Sequence, residues 1–166
     1  MRAPVLSRDE LYAILDEVKD PEVPVLSVVE LGIIRDVEAT AEGVVVTVTP
    51  TYSGCPAMRV IEQDITQALR DHGVGEVEVR TVFTPAWTTD WIPAAAREKL
   101  RAYGIAPPGI SDPQGPIAIG RRRAAVRCPF CGSGDTQLRS EFGSTACKSI
   151  HVCRGCSQPF EEFKAI

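Results

Sequence analysis

Apolar positions recur along the first hundred residues with two different periods, and the switches between them set out an order of elements. Leu11, Ile14, Leu15 and Val18 stand at helical spacing behind Ser7, which is followed three residues later by Glu10 as in a capping box. A helix is therefore expected from about Arg8 to Lys19. Pro21 and Pro24 in the segment DPEVPVLS lack donors and restrict the residues before them, which predicts an ordered loop. Partial alternation from Gly32 to Thr40, the turn Glu42-Gly43 and the β-branched run Val44 to Thr49 predict a hairpin. Cys55-Pro56 then opens a second expected helix, with Val60, Ile61, Ile65, Ala68 and Leu69 on one face and Gly73 as its stop. Between Glu76 and Phe83, charges alternate with Val77, Val79 and Val82, as in a strand with one wet face. Asp90 to Pro93 reads as the cap and first turn of a last helix that reaches Tyr103, with Ala96, Leu100 and Tyr103 sharing a face.

The fold class expected is α+β. Residues 1–105 make a small αββαβα domain with a three-stranded sheet, long enough to bury one modest core. Residues 106–124 are rich in proline and glycine, carry Arg121, Arg122 and Arg123, and read as a semi-rigid linker. Residues 125–166 hold few large apolar groups but most of the cysteines, and form a separate zinc-ribbon-like β domain. Charge supports the division: residues 1–106 carry 10 Lys/Arg against 17 Asp/Glu, a net of −7, and residues 107–166 carry 8 against 5, a net of +3. No stretch approaches the roughly 20 apolar residues of a membrane span, and the first ten residues lack a secretory h-region, so a cytoplasmic protein is expected.

Reduced cytosolic thiols favour metal binding or catalysis over disulfides. Cys128-Pro-Phe-Cys131 and Cys153-Arg-Gly-Cys156 are two C-x-x-C pairs with 21 residues between them. Each pair can turn two thiolates toward one ion, and two such turns complete a tetrahedral four-sulfur site. Zinc is the first expectation, with iron or an iron–sulfur cluster as alternatives. With so small an apolar content, the metal is expected to organise this region. Cys147 is open to three readings: a substitute ligand, a fifth thiol in iron transfer, or a small buried residue, the last being preferred. His151 is expected to lie on a strand rather than to ligate.

Cys55 draws attention for a different reason. At a helix start its thiolate would be stabilised by the dipole and free amides, which would make it reactive, while a buried small hydrophobe is the plainer reading. Asp20 and Glu22 offer carboxylates from the preceding loop, and carboxylate plus thiolate can hold iron transiently. Phosphate-binding glycine loops, a G-x-S-x-G elbow and H-E-x-x-H are all absent from the sequence, and of its two histidines His72 falls at an expected helix C-terminus. Independent hydrolytic catalysis is not expected.

The segments DPEVPVLSVVELGIIRDVE and TPTYSGCPAM, spanning Asp20 to Met58, resemble the small α/β domain of SufT-like proteins that assist iron–sulfur cluster assembly. Together with CPFCGSGDTQLRSEFGSTACKSIHVCRGCSQPFEEFK, they make the chain resemble the PaaD (PaaJ) family, the accessory D components of bacterial phenylacetyl-CoA epoxidase systems. That resemblance implies a maturation role beside a multicomponent di-iron monooxygenase, with the oxygenase or reductase subunits as partners. It also implies metal handling by Cys55, Asp20, Glu22 and the C-terminal cysteines. Two rivals remain at this level. An electron-transfer component would carry iron in the four-sulfur site. A nucleic-acid-binding ribbon would use Arg121, Arg122, Arg123 and Arg127, although the acidic first module argues against it. The run Val44 to Thr49 is a candidate for strand pairing across a homo-oligomer axis.

Overall fold

The structure, a computed structural model, describes residues 6–109 and 125–166. Arg121, Arg122, Arg123 and most of the expected linker lie outside the described residues. The chain forms two compact units that divide between Trp87 and Thr88.

The first unit begins with α1 (Arg8–Asp16), where the Ser7 side chain accepts from the Glu10 amide and the Glu10 carboxylate accepts from Ser7. The capping box is thus formed as the sequence implies. Leu11, Ile14 and Leu15 are its buried face. The DPEVPVLS loop and the turn that follows it share a buried interior: Val23, Leu26, Val28 and Leu31 are almost wholly buried, and Asp20 and Val28 donate backbone bonds to Leu26 and Val18. The Trp87 indole N–H reaches the Leu31 carbonyl at 2.8 Å.

Strands β1 (Ile34–Ala39) and β2 (Gly43–Val48) form the expected hairpin, antiparallel, with Val37 opposite Val46. Helix α2 (Met58–Asp71) buries Met58, Ile61, Ile65 and Leu69, one stripe at helical spacing, each such side chain contributing about 1.5–3 kcal/mol. Strand β3 (Glu76–Thr81) returns parallel to β2, giving the order β1-β2-β3. Gly43 permits this, because a Cβ there would collide with the Glu76 carbonyl group. Since β2 has a strand on each side, Val44 to Thr49 is not available to pair across a dimer axis.

The second unit starts with a short 3-10 turn (Thr89–Trp91) and α3 (Ala94–Tyr103). The helix buries Ala96 and Leu100, but Tyr103 is exposed rather than sharing that face. Gly104, at φ 92°, closes α3, and β4 (Ile105–Ala106) follows immediately. Beyond the undescribed segment come β5 (Thr136–Ser140), β6 (Lys148–Cys153) and β7 (Pro159–Phe163). The sheet order is β4-β7-β6-β5, with β4 parallel to β7 and the other neighbours antiparallel. The sequence pattern groups the last helix with the first domain, up to residue 105. In the structure α3 and β4 build onto the ribbon, because the Ile105–Ala106 pairing with Glu161–Glu162 completes its sheet. Arg97 secures the join by donating to the carbonyls of Thr89, Ile92 and Pro108.

Candidate metal centre

Two similar turns build the centre. In the first, Gly132 donates its amide to the Cys128 carbonyl and Cys128 donates to Ser133, folding Cys128 and Cys131 into one loop. In the second, Cys153 donates to the Gln158 carbonyl. The residue after the second cysteine of each turn takes a positive φ: Gly132 at 76° and Ser157 at 62°. Both loops therefore reverse through the left-handed region, where glycine carries no strain and serine does.

The four Sγ atoms of Cys128, Cys131, Cys153 and Cys156 all lie within 4.8 Å of one another. Cys128 and Cys156 are 3.7 Å apart and Cys131 and Cys153 3.6 Å, far beyond a disulfide bond. Thiolates around a tetrahedral zinc, with Zn–S of about 2.3 Å, stand about 3.8 Å apart, so the donor set and its spacing fit one such ion. Among the described residues this is the one convergence of three or more possible ligands.

The thiols of the centre differ in acidity. Amide donation from Cys156 lowers Cys153 to about 7, with its sulfur neighbours adding to the effect. The Gln158 amide lowers Cys156, but burial and the three other sulfurs outweigh it and push that thiol up to about 12. Cys131 is likewise raised: the Ser133 amide lowers it, but the bond with Cys153 and burial prevail. One sulfur ionises readily and its neighbours then resist, because each further thiolate would add like charge to a half-buried cluster.

Residues that spacing alone does not single out support the cluster. Ala106 from β4 and Phe160 from β7 pack with Cys128 and Cys153 in one buried group, bordered by Val126 and Cys156. His151, on β6 as expected, stacks on Phe160 with centroids 5.5 Å apart. Its Nε2 and the Ser149 hydroxyl converge on one Glu162 oxygen at 2.9 and 3.0 Å. His151 thus supports the wall of the centre and is not among its converging ligands. The i, i+2 spacing of Ser149 and His151 on one strand face was the available signal; their partner Glu162 needed the β6–β7 register. Cys147 stands just before β6, buried, 3.0 Å from the Thr145 hydroxyl and outside the four-sulfur group.

The other expected site residues do not form a comparable cluster. Asp20 is buried and one of its carboxylate oxygens accepts the amides of Glu22 and Val23, both at 2.8 Å. Cys55 is buried in a turn where its amide donates to Tyr52 and its carbonyl accepts from Met58. Helix α2 begins at Met58 with Ala57 as its N-cap, so Cys55 precedes the helix instead of opening it. Asp20, Glu22 and Cys55 do not converge as a set of three ligands. No sequence pattern marks Thr49, at the head of the same loop, yet its hydroxyl is buried with no hydrogen-bond partner among the described residues.

Known proteins match the two ends of the chain separately and together. Residues 8–82 match the iron–sulfur cluster assembly protein family, and residues 112–164 match the PaaD zinc beta ribbon domain. A crystal structure of a domain of unknown function, DUF59, from Bacillus anthracis is 34% identical over 56% of this chain and 90% of that one, with a TM-score of 0.53. A conserved hypothetical protein of Thermotoga maritima is 31% identical over 60% of this chain and 98% of its own, with a TM-score of 0.51. The Bacillus subtilis Fe-S protein maturation auxiliary factor YitW is 35% identical over 50% of this chain and 82% of its own. A protein of Escherichia coli (strain K12) named as the D component of 1,2-phenylacetyl-CoA epoxidase is 46% identical over 95% of this chain and 92% of its own. With both units covered in one alignment, the chain belongs to the PaaD family, the D components of phenylacetyl-CoA epoxidase.

Proposed function

We propose that this chain is an accessory, maturation-type component of a phenylacetyl-CoA epoxidase system, assisting delivery of iron or an iron–sulfur cluster to a partner protein of that system. The observation that carries the reading is the joining, in one chain, of an iron–sulfur assembly module and a four-cysteine ribbon, matched along nearly its full length by the Escherichia coli relative. In this reading the ribbon holds one zinc ion through Cys128, Cys131, Cys153 and Cys156, which supplies structure and binds the turns into a rigid docking module.

The cargo is handled in the first unit, at the loop running from Thr49 to Cys55. Cys55 offers a thiol, and the unpartnered Thr49 hydroxyl leaves that loop with an unmet hydrogen bond. A buried hydroxyl without a partner costs about 1–3 kcal/mol, a penalty that an arriving polar or metal-bound group would relieve. Asp20 and Glu22 contribute carboxylates from the DPEVPVLS loop, whose shape Asp20 also holds.

Co-expression with the oxygenase subunits, with and without Cys55→Ala, tests the reading. The expected result is an oxygenase depleted in iron and activity when the altered chain is supplied. Unchanged iron content and activity would remove Cys55 from the mechanism.

A further inference from the structure

Strand β3 ends its sheet. The order is β1-β2-β3, and among the described residues no strand pairs with its far side. The Val82 amide donates to the Val48 carbonyl, so alternate residues Glu76, Glu78, Arg80 and Val82 turn their backbone groups toward β2. Val77, Val79 and Thr81 turn theirs outward. The side chains alternate as well: Val77, Val79 and Thr81 are half-buried, while Glu76, Glu78 and Arg80 are exposed on the opposite face. A groove of about 430 Å³ between α2 and this edge has Val79 in its wall.

We propose that β3 is a homodimer edge, pairing antiparallel with β3 of a second copy of this chain about a two-fold axis at Val79. The argument is charge complementarity. An isologous antiparallel pair centred on Val79 sets Glu78 opposite Arg80 of the copy, and Arg80 opposite its Glu78. Val77 then meets Thr81, and Glu76 meets Val82, so no like charges oppose each other. Moving the centre to Glu78 sets two carboxylates face to face, and moving it to Arg80 does the same with two guanidinium groups. The charges therefore select one register.

The backbone agrees with that choice. Val79 with Val79, and Val77 with Thr81, become the hydrogen-bonded pairs, using the outward N–H and C=O groups. Glu78 and Arg80 fall in the non-hydrogen-bonded pairs, where side chains approach most closely. Within one chain Arg80 and Glu78 already bond at 2.9 Å on an exposed face, both side chains more than half exposed. The dimer exchanges two such bonds for two across the axis and joins the sheets into six strands ordered β1-β2-β3-β3-β2-β1. Charges on a lone edge strand discourage random pairing, and their alternation here admits one partner in one alignment.

Sedimentation equilibrium and light scattering on the full chain test this. Wild-type protein is expected at twice the 18.0 kDa of the chain in the high micromolar range, dissociating on dilution. Glu78→Lys and Arg80→Glu, each turning both cross-axis pairs repulsive, are expected to raise the dimer dissociation constant by about tenfold or more. The double variant is expected to recover the dimer, a rescue that a merely structural role for either residue would not give. Circular dichroism identical to wild type shows that the single variants remain folded, as their exposed positions imply. A monomeric wild-type chain, a dimer indifferent to Glu78→Lys, or a double variant that stays monomeric would each overturn the proposal.

Discussion

The Sγ atoms of Cys128 and Cys156 stand 3.7 Å apart although the two residues are 28 positions apart in the chain. Their approach requires the β5–β6 hairpin, and a cation held by all four sulfurs would tie the turn before β5 to the turn after β6. Chelation of the metal, or Cys153→Ser, is therefore expected to abolish hydrogen-exchange protection in the second unit, β4 included, while amides of α2 and β2 stay protected. Structural zinc contributes about 10–16 kcal/mol of apparent folding free energy in small zinc domains, more than a unit of this size holds otherwise.

Metal affinity should fall as pH is lowered. Cys153 is poised to ionise near 7, while Cys156 is pushed up to about 12 and Cys131 is also raised. Binding at neutral pH must therefore displace protons from several thiols, and each unit of acidification works against it. Competition with a chromophoric chelator between pH 8 and 6 is expected to give a steepening loss of affinity, with proton release detectable in weakly buffered solution.

Asp20 is predicted to act as a structural residue whether or not it meets cargo. One oxygen satisfies two loop amides, so Asp20→Ala should cost about 1–3 kcal/mol in denaturant unfolding. Asp20→Asn, which keeps one acceptor oxygen, should cost less. Cys55→Ala should leave stability nearly unchanged by comparison, separating a loop-shaping residue from a cargo-handling one.

The Lys148–Glu161 pair predicts a pH window for the ribbon. Lys148 is almost wholly buried and its ammonium lies 3.2 Å from Glu161. Burial raises the Glu161 carboxyl, but the Ser144 amide and hydroxyl and the Lys148 charge outweigh it and hold it below its ordinary value of 4.5. A carboxylate depressed in the folded state adds stability that is present above 4.5 and is lost as pH falls through its lower folded value. Glu161→Gln should flatten the acid limb of the second unit's stability profile and lower stability at neutral pH by removing a carboxylate charge from beside the buried Lys148. Thermal melting of the two proteins from pH 7 to 3 measures both effects.

Much of this was legible in the residues. The capping box at Ser7 and Glu10, the stripe Ile61, Ile65 and Leu69, and the β1–β2 hairpin are local patterns, each set by neighbours a few positions apart. The four cysteines were equally plain, since two C-x-x-C pairs with 21 residues between them, one beyond the usual range, have few other uses. What escaped was non-local or interrupted. Strand β4 is two residues long and pairs with residues 56 positions later, which leaves no periodic trace, so the local pattern alone places α3 with the elements before it. Pro56 fits a helix start, yet the turn from Tyr52 to Met58 delays α2 past Cys55. Tyr103 lies on the helical repeat of Leu100 but occupies the last turn, where the chain bends away at Gly104 and leaves the ring in solvent.

Elemental analysis of anaerobically purified protein, with its visible spectrum, tests the central assignment most directly. About one zinc per chain, no iron and no visible absorption is the predicted result, with the zinc lost in Cys153→Ser and retained in Cys55→Ala. Stoichiometric iron with charge-transfer bands, or zinc that survives Cys153→Ser, would contradict it.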